Sequence, residues 1–167
     1  MRQHRFRLPT RPRPRPSRKR LPRKPDREVA DSPLDAAVRA LARRDLSTRQ
    51  LDERLARAGV SAAARREALE TAERLGYLND ERFARGRAKA LAERGLGDAA
   101  IAYDLEQAGL DESLVAPALG SLAPEPERAK FLASSLGGGL RAARALARKG
   151  FARESIESAL PEVLGWE

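Results

Sequence analysis

An all-α chain of three tandem three-helix modules is what this sequence predicts, and three observations lead there. A short phrase recurs with one internal ruler: Leu51, Leu55 and Gly59-Val60; Ile101, Leu105 and Gly109-Leu110; Ala142, Leu146 and Gly150-Phe151. Further leucines keep the same spacing in every copy, at Leu41, Leu91 and Leu132 before the phrase and at Leu69, Leu119 and Leu160 after it. No segment shows the apolar-polar alternation of a strand. The repeat step is 50 residues and then 41, so one helical unit is used three times.

The physics of the unit follows from its residues. Two apolar positions four apart make one stripe on a helix. The glycine supplies the left-handed position after the helix end, and the hydrophobe behind it folds back on the last turn. Start signals then place the elements in order. Ser32-Pro33 with Asp35 opens a helix near 34–44, and the capping box of Ser47 with Gln50 opens another near 48–58. A third follows near 62–75. Asn79-Asp80-Glu81 starts a helix near 80–94, one more runs near 98–108, and Asp111-Glu112 starts the next, near 112–121. The last three are expected near 127–136, 139–149 and 153–163. The modules therefore divide as 31–79, 80–122 and 123–167, after a tail of residues 1–30.

Each module is close to the size at which a single core is marginal. Neighbours should support one another in an elongated array. Aromatic residues make up only 4% of the chain, so the cores rest largely on Ala and Leu. Tyr77, Phe83, Tyr103, Phe131 and Phe151 are read as core positions. There is no cysteine for a disulfide framework or a thiolate metal site. No apolar run approaches the roughly 18 residues that would span a bilayer, and the N-terminus lacks the hydrophobic stretch of a secretory signal. A soluble cytoplasmic protein, a monomer with no membrane contact, is the expectation.

The net charge of +9 must be divided before it is interpreted. Residues 1–30 carry twelve Arg or Lys against Asp26 and Glu28, a net of +10; residues 31–167 carry twenty-one against twenty-two, a net of −1. The basic tail includes Arg11, Arg13 and Arg15, each followed by proline, and then Arg18, Lys19 and Arg20. With few apolar residues to bury, it is expected to be disordered, with polyproline-II character, and to act as an arm for DNA or another polyanion. Within the body, Arg43 and Arg44 lie at a helix end, and Arg85, Arg87, Lys89 and Arg94 make the fourth helix basic. Arg141, Arg144 and Arg148 fall at i, i+3 and i+7 on one face of the eighth, with Lys149 beside them and no acidic residue in that helix. These ten are the candidate binding residues of the body.

Catalysis has little to stand on. The single histidine, His4, lies in the tail, so the body offers no Ser-His or Cys-His pair. Asp52 and Glu53 are neighbours and point to different helix faces, unlike an acid/base pair. The run Leu136-Gly137-Gly138-Gly139-Leu140 is glycine-rich before a helix, but no Gly-Lys-Ser/Thr follows, which argues for a flexible joint over a phosphate-binding loop. The expectation is a binding protein with no catalytic residue, metal or cofactor.

The stretch from Leu41 to Gly59, with Ser47, Leu51 and Leu55 inside it, resembles the opening module of the RecX family of recombinase regulators. The phrase Gly76-Tyr77-Leu78-Asn79-Asp80-Glu81-Arg82-Phe83-Ala84 is similar to that family's signature at the joint of the first two modules. Gly95, Ile101, Leu105 and Gly109 continue in the family's order, and the resemblance covers 34 to about 160. It implies a protein that binds the RecA–DNA filament along its groove and suppresses ATP hydrolysis, strand exchange and the coprotease function behind the SOS response. A curved array of modules suits such a groove. One departure stands out: where the family carries basic runs in the second module, this chain reads Gly97-Asp98-Ala99-Ala100 and Asp104-Leu105-Glu106-Gln107. The alternative reading is a helix-turn-helix-like protein acting on DNA directly through its arginine-rich tail.

Overall fold

The computed structural model describes residues 32–163; the tail, and with it the arm expected of Arg11, Arg13, Arg15, Arg18, Lys19 and Arg20, lies outside the described residues. Among them there are nine α-helices and no strand: α1 Pro33–Leu41, α2 Thr48–Arg57, α3 Ala62–Arg74, α4 Asp80–Glu93, α5 Asp98–Gln107, α6 Glu112–Gly120, α7 Glu125–Ser135, α8 Gly139–Arg148 and α9 Arg153–Ala159. Both capping boxes form, at Ser32 with Asp35 and at Ser47 with Gln50. Asn79 and Asp111 cap α4 and α6 through their side chains.

Three ends differ from expectation by two residues or more: α1 stops at Leu41 instead of 44, and proline explains the other two. α7 begins at Glu125, because Pro126 sits in the first turn, where its missing N–H is not needed. α9 stops at Ala159 instead of reaching 163: Leu160, ahead of Pro161, leaves the helical region at φ −138°, ψ 65°, and a short 3-10 turn follows over Pro161–Val163.

The three repeated glycines end their helices alike. Gly59, Gly109 and Gly150 have φ of 81°, 88° and 80°. In each copy the following residue donates its N–H to the carbonyl five residues back: Val60 to Leu55, Leu110 to Leu105 and Phe151 to Leu146, at 3.1–3.2 Å. This is the Schellman closure that the phrase encodes. Gly137, Gly138 and Gly139 take positive φ in succession where the chain turns into α8.

Three hydrophobic clusters follow the chain. One gathers Leu46, Leu51, Leu55 and Leu78 with Ala37, Ala40, Ala68 and Ala72. The next holds Phe83, Leu91, Ile101, Leu105, Leu110 and Val115, and the last Leu146, Phe151, Ile156 and Leu160 over a floor of alanines. Within each group of three helices, the first and third pack closely against one another. Alanines at the contacts let the backbones approach, which keeps these cores thin.

The clusters are joined through their middle helices. The hydroxyl of Ser47, at the start of α2, donates to the carbonyl of Ala108 at the end of α5 over 2.5 Å, and the guanidinium of Arg49 donates to that of Gln107. The same meeting recurs one module on, made by backbone alone. The N–H of Gly97 donates to Lys149 O at 2.9 Å and that of Ala99 to Gly150 O at 3.2 Å, so the start of α5 receives the end of α8. Helix ends leave unpaired donors at one tip and unpaired acceptors at the other; the α5–α8 joint pairs the two directly, while at the α2–α5 joint side chains supply the donors to the carbonyl end of α5. Contact is tight: a Cβ on Gly97 would lie 2.3 Å from Gly150 O, and one on Gly150 2.7 Å from the backbone N of Ala100.

Candidate functional site

The fourth helix and the joints around it determine where the candidate cations stand. Arg87 reaches across the α4–α5 contact at the surface, its Nε and Nη2 donating to the two carboxylate oxygens of Asp104 at 2.7 and 2.9 Å. This fork-to-carboxylate pair holds Asp104 below the usual aspartate range; the hydrogen bond from Arg87 is the main cause, opposed by burial and aided by the charges of Arg87 and Arg94. Arg87 therefore fastens two helices together, and although exposed its charge is already paired. Lys149 also departs from the basic stripe: it is half-buried at the α5–α8 joint, with Nζ 3.5 Å from the carbonyl of Arg94.

The remaining candidates are exposed as well. Arg43 and Arg44 are exposed in the turn after α1, and Arg44 shares a hollow of about 300 Å3 with Arg87 and Gln50. Arg85 is exposed and paired with Glu81 at 2.5 Å, a turn earlier on the same helix. Lys89 and Arg94 are exposed along α4. Arg141, Arg144 and Arg148 are exposed on α8, opposite the buried Ala142, Ala143 and Leu146, and make no ion pair among the described residues. The ten thus divide into a group around α4, a separate stripe on α8, and two residues with partners between helices: Arg87, paired at the surface with Asp104, and Lys149, half-buried at the joint.

A group the sequence did not reveal locks α7 and α9 to α5. Glu125 is buried at 9% exposure, and its carboxylate accepts from the N–H of Asp98 at 2.7 Å, the N–H of Ala152 at 3.1 Å and the hydroxyl of Ser155 at 2.6 Å. It thus sits at the amino ends of α5 and α9 as well as in the first turn of its own helix, where a negative charge is favoured. Arg128 completes the cluster, donating to Asp98, to the carbonyls of Leu96 and Ala123, and lying 5.8 Å from the ring centre of Phe151. Burial, more than Glu125 nearby, pushes the Asp98 carboxyl up from the usual range, and Arg128 pulls it back. Asp98 and Asp104, the acidic residues at the places where the RecX resemblance fails, are thus the partners of two arginines, the largely buried Arg128 and the exposed Arg87.

Three of the five aromatics read as core are exposed instead: Tyr77 at 50%, Tyr103 at 64% and Phe131 at 81%, while Phe83 and Phe151 are buried. Helical phase explains two of them. Tyr103 falls midway between the buried Ile101 and Leu105, and Phe131 between the buried Ala129 and Ala133, so both turn away from the cores. Tyr77 lies in the turn after α3.

Among the described residues no group of His, Asp or Glu could hold a metal ion, and no helix is long and apolar enough to cross a membrane.

Comparison with known proteins places this arrangement. Residues 79–119 match the family described as RecX, second three-helix domain. The regulatory protein RecX of Halorhodospira halophila is 31% identical over 146 residues, covering 78% of this chain and 88% of that protein. That of Stenotrophomonas maltophilia is 30% identical over 152 residues, covering 85% and 90%. The match to RecX of Syntrophotalea carbinolica is higher, 38% over 99 residues, but spans 64% of that protein's length. The crystal structure of RecX from Lactobacillus salivarius superposes with a TM-score of 0.67 at 19% identity, over 78% of this chain and 94% of that one, a likeness of fold. Matched over nearly the whole length of two such relatives, this chain belongs to the RecX family of regulatory proteins.

Proposed function

We propose that this chain is a non-catalytic, cytoplasmic regulator of the RecA recombinase. As a monomer without metal or cofactor, it binds the RecA–DNA filament along its groove and lowers ATP hydrolysis, strand exchange and coprotease activity. It would thereby restrain recombination, DNA repair and the SOS response. The observation that carries this reading is membership of a family whose relatives are named regulatory proteins, matched over 88% and 90% of two of them. The exposed cations support it: Arg43, Arg44, Arg85, Lys89 and Arg94 around α4, and Arg141, Arg144 and Arg148 on α8, are placed to meet a negatively charged assembly. DNA contacts through these faces and the tail are weak and salt-dependent on this reading.

The test is to add the full chain to preformed RecA filaments on single-stranded DNA. ATP hydrolysis and strand exchange should fall together, at less than one chain per RecA protomer. Unchanged rates at equimolar protein would overturn the assignment. Inhibition that vanishes on removing residues 1–30 would instead favour direct action on DNA through the tail.

A further inference from the structure

The side of α4 that faces away from Asp104 opens onto a groove shared with α7 and the turn at Ser121–Ala123. Its volume is about 730 Å3, and at Lys89, Ser121 and Leu122 it runs on into a second hollow of about 480 Å3 that reaches Arg82 and Arg85. The two ends differ in chemistry. Phe131, Leu132 and Phe151 make one end apolar. Phe131 is 81% exposed there, in a chain with only four phenylalanines, and its ring contributes to none of the three cores. The other end is cationic. Arg85 is held by Glu81, and Arg82 donates to the carbonyls of Gly76 and Tyr77, whereas Lys89, between the two ends, makes no ion pair among the described residues.

The charges at the apolar end are Glu93, Glu127, Arg94 and Arg128; Arg128 is already paired with Asp98, which leaves two carboxylates against the one exposed Arg94. The two carboxylates oppose a phosphodiester backbone, which would bring a negative charge at every step along the groove. They do not oppose a segment whose charges are few and gathered at the Lys89 end. We propose that this groove receives an acidic segment of a partner protein that carries an apolar anchor. The anchor seats against Phe131 and Leu132, and the carboxylates face Lys89, Arg82 and Arg85. The proposal rests on the filament reading above: the segment belongs to the protein component of the filament, not to its DNA. An aromatic ring in an open groove ringed by charge has the anatomy of a binding hot spot.

The experiment uses the full chain with RecA filaments on biotinylated single-stranded DNA, and with a bare oligothymidylate of the same length. Phe131→Ala and Lys89→Glu alter exposed side chains and should melt at the temperature of the parent. Each should weaken filament binding about tenfold. Phe131→Leu should recover most of the loss seen in Phe131→Ala; oligothymidylate binding should be unchanged in both Phe131 variants and should fall in Lys89→Glu by far less than filament binding does. A parent chain that does not bind filaments overturns the filament reading itself. A parent that binds, with both variants binding as tightly, overturns the groove alone. Loss of oligothymidylate binding in step with filament binding would assign the groove to nucleic acid and overturn the acidic segment.

Discussion

Ser47 both starts one helix and finishes another: its Oγ accepts from the N–H of Gln50 at 3.2 Å and donates to the carbonyl of Ala108 at 2.5 Å, 61 residues away. The residue is 1% exposed, so neither bond can be replaced by bulk water. Ser47→Ala should therefore cost more than the roughly 1 kcal/mol of an ordinary N-cap, because the Ala108 carbonyl is left buried without its donor. Ser61→Ala, which removes the exposed cap of α3, gives the baseline. Equal losses in urea denaturation would show that the joint bond contributes nothing.

Gly97→Ala should be among the most destabilising single-methyl changes in the chain. Its φ of −82° suits any residue, so backbone strain plays no part. The new Cβ would instead meet the backbone of Gly150 and Phe151 at 2.3–2.4 Å, which neither joint partner can yield without separating. A loss of about 1–3 kcal/mol is expected, as for overpacking. Gly59→Ala has the opposite character: positive φ, open space around the Cβ, and a cost near 1 kcal/mol. Thermal melts of the two variants separate steric crowding from backbone strain.

The Arg87–Asp104 pair sets a pH dependence of known sign. Asp104 lies below its ordinary range in the folded chain, so its contribution is present at neutral pH and is lost as pH falls through the folded value. Asp104→Asn should accordingly destabilise at pH 7 and progressively less in acid, the curves converging below the ordinary aspartate range. Parallel curves across that range would contradict the pairing.

Reversing Arg141, Arg144 and Arg148 to glutamate should impair filament inhibition while leaving the melting temperature nearly unchanged, since all three are exposed and unpaired among the described residues. Deleting residues 1–30 should do the converse. It should weaken binding to bare duplex DNA and reduce the slope of log K against log salt by about 0.9 for each phosphate that the tail no longer neutralises. Inhibition of filaments should survive, though its onset slows. The pair of variants distinguishes body from tail.

Much of the fold was legible because its signals are local. Leu55, Gly59 and Val60 lie within six residues of one another, and the hydrogen bonds that close the helix there span the same short stretch. The same is true of Ser47 with Gln50. The joints were not legible, since nothing near Ser47 names Ala108 and nothing near Gly97 names Lys149. Burial of the aromatics was misjudged where hydrophobicity was counted without phase, as at Tyr103 and Phe131. For the candidate site, a basic run on α4 shows charge but not commitment: Arg87 has its partner 17 residues on, and Lys149 reaches back 55 residues to Arg94. Glu125 gave no signal, because a carboxylate in a first helical turn is ordinary until other helix starts converge on it.

The end-to-end meeting of α8 with α5 and of α5 with α2 makes the chain a vector. Each of the two joints consumes the carbonyl end of one helix at the starting end of another, through side-chain donors at α2 and backbone donors at α5. What is left over is unlike at the two extremities: the carbonyl end of α2 at Gly59, with nothing near its Cβ position, and the amino end of α8, which lacks a side-chain cap. No rotation exchanges them. Laid on a polymer whose own subunits all point one way, such a chain has a forward and a backward placement that differ in energy. Its orientation is thus written into the order of its helices before any surface contact is made.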